Sequence, residues 1–228
     1  MLNDSADSHE DEEHEGQTLI LSKLSRTTVY VIQVVVAALL AALSVAVTPL
    51  AAFIPRIPLF GIALFDPISI FWIIAFLIGG IWVGLFSMSL ATIVLNFFDP
   101  TAPFGPLLKF FATMPHVLIP WLVVTLVVRG RGRGFLNRFV GSSNDGKAGR
   151  LLSNAKLYFV LMIIAALIRM TMMVPINLVV VPIMWGASDP GFIISFTLAI
   201  NAVQAIGDAV VPFIVVHLTP VYDTVGMW

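Results

Sequence analysis

The chain has 228 residues, of which 59% are hydrophobic and only 11% charged, with a formal net charge of -1. Soluble domains carry about 25% charged residues, so an ordinary water-soluble fold is excluded. The absence of cysteine excludes disulfides, thiol chemistry and Cys-ligated metals.

The charges are segregated along the chain. Seven of the thirteen acids fall in the first fifteen residues, and seven of the twelve bases lie between Arg129 and Lys156. Residues 1–27 therefore read as an acidic, disordered tail, opening with "MLNDSADSHEDEEHEGQT". This stretch is the reverse of a secretory signal, which leads with bases into an apolar core. His9 and His14 belong to that solvated run, which outweighs a weak metal site.

A membrane domain follows over 28–218, all-α, and its spans can be placed in order. The first covers about 29–54. The apolar block 67–98 is too long for one crossing, and Gly79-Gly80 near its middle marks a turn, giving two helices at about 67–79 and 81–98. Further spans cover 104–128, 157–184 and 192–217. Pro175 and Pro182 are expected to bend or end the fifth. A basic loop, 129–156, separates the fourth and fifth, and 219–228 is a short tail.

Lys23 and Arg26 precede the first span, and the "RGRGRG" loop follows the fourth. The positive-inside rule places both in the cytoplasm, which requires an even number of crossings between them. The expected architecture is a polytopic six-transmembrane-helix bundle in the cell membrane with both termini cytoplasmic. The basic run then serves topology beside anionic lipid, with no nucleic acid as partner.

Two helix faces carry information. In "AALLAALSVA", Ala37, Ala38, Ala41, Ala42 and Ala46 recur at four-residue intervals, which flattens a helix for close approach by another, within the bundle or from a partner. In "TLAINAVQAIGD", Thr197, Asn201, Gln204 and Asp208 are spaced four, three and four, along one face. Polar groups inside a bilayer are costly unless satisfied and commonly mark a substrate path. Asn177, Asp66 and Lys109 fall near the same outer region, so these residues are candidate ligand contacts. Deeper in the membrane, Arg169 and Asp208 are expected to form a structural ion pair. His116 and His217 read as isolated interfacial residues.

Enzymatic signatures are missing. There is no G-x-x-x-x-G-K-[ST] loop, no H-E-x-x-H and no G-x-S-x-G. An enzyme is not expected, nor is a metal or other cofactor.

The chain resembles the S component, the substrate-binding membrane subunit, of an energy-coupling factor (ECF) vitamin transporter. Four stretches carry the resemblance: the alanine face of the first helix; "LFDPISIFWIIAFLIGGIWVGLFSMSLA"; "PINLVVVPIMW"; and "AINAVQAIGD". The last two are similar to signatures of riboflavin-specific members. By that resemblance Asn177 and Asn201 match vitamin-contacting asparagines. Gln204 takes the place of a lysine, and Ala199-Ile200 replaces a Pro-Phe pair. The implied function is capture of a vitamin, riboflavin favoured, at the outer face beneath a lid formed by the loop between the first two helices. Delivery would follow docking, through the first-helix alanines, on a partner module of one transmembrane scaffold and two ATPase subunits. The rival readings are a self-sufficient secondary carrier or channel for a small polar solute, and a scaffold or assembly factor that binds no ligand.

Overall fold

The computed structural model of the chain describes residues 26–49, 56–57, 62–63, 65–128, 148–187, 189–219, 221–222 and 227–228. The acidic tail, the basic loop from 129 to 147 and most of the expected lid lie outside the described residues. What is described is helical: α1 (Arg26–Ala46), α2 (Pro67–Gly79), α3 (Ile81–Leu95), α4 (Phe104–Val128), α5 (Ala155–Trp185) and α6 (Pro190–His217), with a 3-10 segment at Ala148–Ser153. Between α1 and α2 lies a two-residue antiparallel ladder, Arg56↔Ala63 and Ile57↔Ile62.

Four of these helices, α1, α4, α5 and α6, are long and apolar enough to cross a membrane. The 21 residues of α1 reach ~31 Å and the 31 of α5 reach ~46 Å at ~1.5 Å per residue. Their outer faces are apolar. Leu39, Ile163, Leu167, Val179, Ile183 and Ile206 are all exposed, a surface that suits lipid and that a water-soluble monomer does not sustain.

α2 and α3, at 13 and 15 residues, are shorter than the ~30 Å hydrocarbon core. α2 is apolar on every side and lies at the centre, packed by α1, α3, α4 and α6, with nearly all its residues buried. Asp66 starts it: the carboxylate accepts from Ile68 N at 3.1 Å, and Pro67 occupies the first turn, where no donor is needed. Gly80 ends it with φ 83, a conformation suited to glycine. Gly84 then lets α3 lie against α2, since a Cβ there would come 2.7 Å from Phe76 Cβ. The free carbonyls of the last turn of α2 are satisfied from far along the chain. Met227 N donates to Ile78 O at 2.8 Å, and Trp228 Nε1 donates to Leu77 O at 3.0 Å. The Trp228 carbonyl in turn accepts from Gly149 N and Tyr222 Oη. The end of the chain is thus tied to the α2–α3 turn.

Two expectations are corrected and one is narrowed. The first helix does not continue to 54: it stops at Ala46 and turns over 47–49, because Pro49 disfavours helical geometry at Thr48. Of the two outcomes expected at Pro175 and Pro182, bending or ending α5, ending does not occur: α5 runs through both to Trp185 and stops at left-handed Gly186, φ 70. Neighbouring helices and side chains offset the lost bonds of internal prolines in such bundles. The alanine face is also divided. Ala37 and Ala41 are 1% and 2% exposed, turned inward beside Ala75, Val83 and α2, whereas Ala42 and Ala46 are exposed and Ala38 is half-buried. Ala37 and Ala41 are packing residues and cannot serve docking.

This division predicts that Ala41→Leu overpacks the α1–α2 contact and destabilises by about 1–3 kcal/mol. Ala42→Leu should stay within about 0.5 kcal/mol. Thermal unfolding in mild detergent compares them, and equal effects would contradict the assigned faces.

Candidate functional site

The face of α6 that carries Asn201, Gln204 and Asp208 meets Arg169, on the facing side of α5. Arg169 is 3% exposed and directs three donors at α6. Nε bonds Asn201 Oδ1 at 2.7 Å, Nη1 bonds Asp208 Oδ2 at 2.6 Å, and Nη2 bonds Gln204 Oε1 at 2.7 Å. The spacing explains the fit, because residues 201, 204 and 208 lie one above another on the helix and a planar guanidinium carries divergent donors. Charge-assisted bonds of this length are the strong class.

Asp208, itself 2% exposed, extends the network to α2. Ser69 Oγ lies 2.5 Å from Asp208 Oδ1 and 2.9 Å from the Asp66 carbonyl. It has one proton for two acceptors, and the carboxylate is the stronger one. One buried pair therefore holds α5, α6 and α2 in register. Asn201 also turns its Nδ2 back to Thr197 O at 2.8 Å.

Above this network lies a cavity of about 180 Å³. Its wall is assembled from the turn after α1 (Thr48), the start of α2 (Asp66, Pro67), the 99–105 turn and start of α4, and the end of α5 (Trp185). Arg169, Asn201 and Gln204 close the deep side. Of the residues expected to contact a ligand, Asn177, Asn201, Gln204, Asp66 and Lys109 all line this one cavity. Lys109 Nζ faces Asp66 Oδ1 at 3.4 Å, a looser and more exposed pair than the one beneath it. Asn177 is 8% exposed, and its amide makes no hydrogen bond among the described residues.

Thr197 departs from expectation. It is fully buried and does not line the cavity, and its Oγ1 has no partner among the described residues. Its part is the carbonyl that holds Asn201. His116 departs as well: it is fully buried rather than interfacial, with both ring nitrogens unpartnered among the described residues. It continues the face of α4 that begins at Lys109 and Thr113, both on the cavity wall. The intervals of four and three between 109, 113 and 116 were a readable signal of that shared face. His217 lies near Ser153 Oγ, 3.0 Å from Nδ1, at the other end of the bundle.

Sequence reasoning also missed Arg169 as a wall of the cavity, having treated it as purely structural. Asp99, Phe65 and Trp185 line the cavity as well and carried no distinguishing spacing. Among the described residues no cluster of His, Cys, Asp or Glu is arranged to hold a metal ion. The chain matches no protein family, no curated protein and no solved structure.

The network predicts unequal costs for losing charges. Arg169→Gln and Asp208→Asn should each destabilise by about 3–5 kcal/mol, because each leaves an uncompensated buried charge. Lys109→Gln removes a longer, 3.4 Å pair whose lysine is half-buried, and should cost less, about 1–2 kcal/mol. Thermal unfolding of the three variants in detergent provides the comparison. A Lys109 effect as large as that of Arg169 would contradict the ranking.

Proposed function

We propose that this chain is the substrate-binding subunit of an ECF-type importer, capturing a vitamin at the outer face of the cell membrane. The observation that supports this reading most is that a single cavity gathers Asn177, Asn201, Gln204, Asp66 and Lys109 from four different helices and their junctions. Interhelical bonding alone accounts for Asn201 and Gln204. It leaves Asn177, which bonds nothing among the described residues, without a role.

The topology of the reading is six crossings with both termini inside. α2 leaves the cavity end at Pro67 and the chain returns there at Asp99, so the α2–α3 pair is a hairpin whose turn lies at the opposite end. α1 ends and α4 begins at the cavity end, and the basic loop follows the far end of α4. With that loop cytoplasmic by the positive-inside rule, the cavity opens outward. Thr48 and Phe65, at the two ends of the connection between α1 and α2, line the cavity, and in this reading that connection would act as the lid.

Energy for release comes from partners in this reading, one transmembrane scaffold and two ATPases, since the chain has no phosphate-binding loop. Ala38, Ala42 and Ala46, on the outward side of α1, are the docking residues. Ala37 and Ala41 are not, being buried. Riboflavin is the ligand implied by sequence resemblance and is the first to try.

The reading predicts that protein purified from cells in mild detergent carries a stoichiometric vitamin identifiable by mass spectrometry. In vesicles it should import that vitamin only with the partner module and ATP. Ala42→Trp should abolish import and leave binding within about twofold. Import by the chain alone, without ATP, would favour a self-sufficient carrier, and an empty chain that ignores added vitamins would favour a scaffold.

A further inference from the structure

The end of the bundle opposite the cavity carries a second polar assembly. The last turn of α2 has carbonyls with no partner inside the helix, and two of them are taken from far along the chain. Met227 N donates to Ile78 O at 2.8 Å, and Trp228 Nε1 donates to Leu77 O at 3.0 Å. From the other side Gly149 N and Tyr222 Oη donate to Trp228 O, at 3.1 and 2.7 Å. The indole lies on the Phe76 ring, centroids 5.2 Å apart, and covers Gly80, where a Cβ would come 3.0 Å from Trp228 Cγ. Position 149 has no room for a side chain either. A Cβ there would come 2.5 Å from Tyr222 Oη and 2.8 Å from Trp228 O. Met227 and Trp228 thus bridge α2 to the 148–153 segment.

The bridge can open at small cost. Met227 and Trp228 are only half-buried, and helix-end carbonyls that lose a protein donor take water instead, so little net hydrogen bonding is lost. Its position gives opening a consequence. α2 is apolar but for Ser69 and the Trp72 indole N–H, and apolar contacts, being non-directional, do not fix where a helix sits along its axis. Directional bonds do. Among the described residues, the side chains of α2 make two such bonds to other helices, Ser69 to Asp208 and Trp72 to Ser44, both in its first half. The second half is held only by Met227 and Trp228. From Leu77 back to Ser69 is eight residues, ~12 Å of continuous helix.

We propose that Met227 and Trp228 form a clasp whose release lets α2 shift against its neighbours and loosens Ser69 from Asp208, coupling the far end of the bundle to the cavity floor. The coupling holds whatever the cavity binds. The chain has no cysteine, so a single introduced cysteine reports local opening through its alkylation rate in mild detergent. Ile68→Cys places the reporter beside Ser69, at a cavity-lining position that is 1% exposed. Val181→Cys, at a 4% exposed position in the separate cluster with Ile193, is the control. Trp228→Phe keeps a ring and removes the indole donor. It should speed alkylation at position 68 by about fivefold, the factor for one ordinary hydrogen bond, and leave position 181 unchanged. Gly149→Ala, which wedges the clasp from its other side, should do the same. Ser69→Ala should in turn speed hydrogen exchange at the Met227 amide, because coupling between two sites is reciprocal. Equal acceleration at positions 68 and 181 would mean general loosening and overturn the proposal, as would no change at position 68 in either clasp variant. A Met227 amide that exchanges without protection in the unsubstituted chain would overturn it too, whether or not any variant folds.

Discussion

A guanidinium buried among apolar helices constrains everything around it. The side chain of Arg169 is 3% exposed, and at that depth its charge is tolerable only with close, hydrogen-bonded counter-groups. α6 supplies three of them, and each intersects the same guanidinium plane only if α5 and α6 hold one rotation and one register. A shift of α6 by one residue would turn its polar face about 100° away. The pair therefore specifies the packing of these helices as well as compensating a charge. Through Ser69 it reaches α2 and sets the depth of the α2 start against the other two.

The rest of the bundle is arranged about that fixed point. α2 has no polar face beyond Ser69, and so it takes the centre. α1 and α3 pack against it, and α1 adds a single polar tie: Trp72 Nε1 donates to Ser44 Oγ at 3.0 Å, and Ser44 donates to Ala41 O at 2.7 Å. At the far end Met227 and Trp228 occupy the α2 carbonyls. Both ends of the short central helix are thus held, and the cavity beside its start has a fixed floor. A fixed floor preorganises the groups that face the cavity.

The Arg169–Asp208 pair was legible because a charge inside an apolar helix has few alternatives to an opposite charge. The bonds of Arg169 to Asn201 and Gln204 were not, since both residues read as ligand contacts. Three of the four polar residues of that face, Asn201, Gln204 and Asp208, converge on the one arginine that the facing helix offers, and Thr197 does not. The division of the alanines was not legible. Five small residues cover a wide arc of one helix, and only the position of α2 and α3 decides that Ala37 and Ala41 face inward while Ala42 and Ala46 face out. His116 was overlooked because a lone imidazole in a proline-containing helix looks interfacial until Lys109 and Thr113 above it are seen on a cavity wall. The prolines of α5 left bending and ending both open, and the packed bundle removes ending. A proline removes a donor in any helix, but neighbours in a packed bundle can offset the loss, and Gly186 is the residue that ends α5.

By itself the sequence determined the apolar, helical character of the chain and the order of the long helices among the described residues, and it marked Gly79-Gly80 as the break in the block 67–98, because hydrophobic length and glycine geometry act locally. It also determined that Arg169 and Asp208 need counter-charges, since the cost of a bare charge in an apolar medium does not depend on the fold. Only the tertiary structure decided that the same arginine also walls a cavity, that Asn177 points to that cavity while Thr197 does not, and which alanines are covered. Those outcomes depend on which helix lies beside which, and no local spacing encodes that.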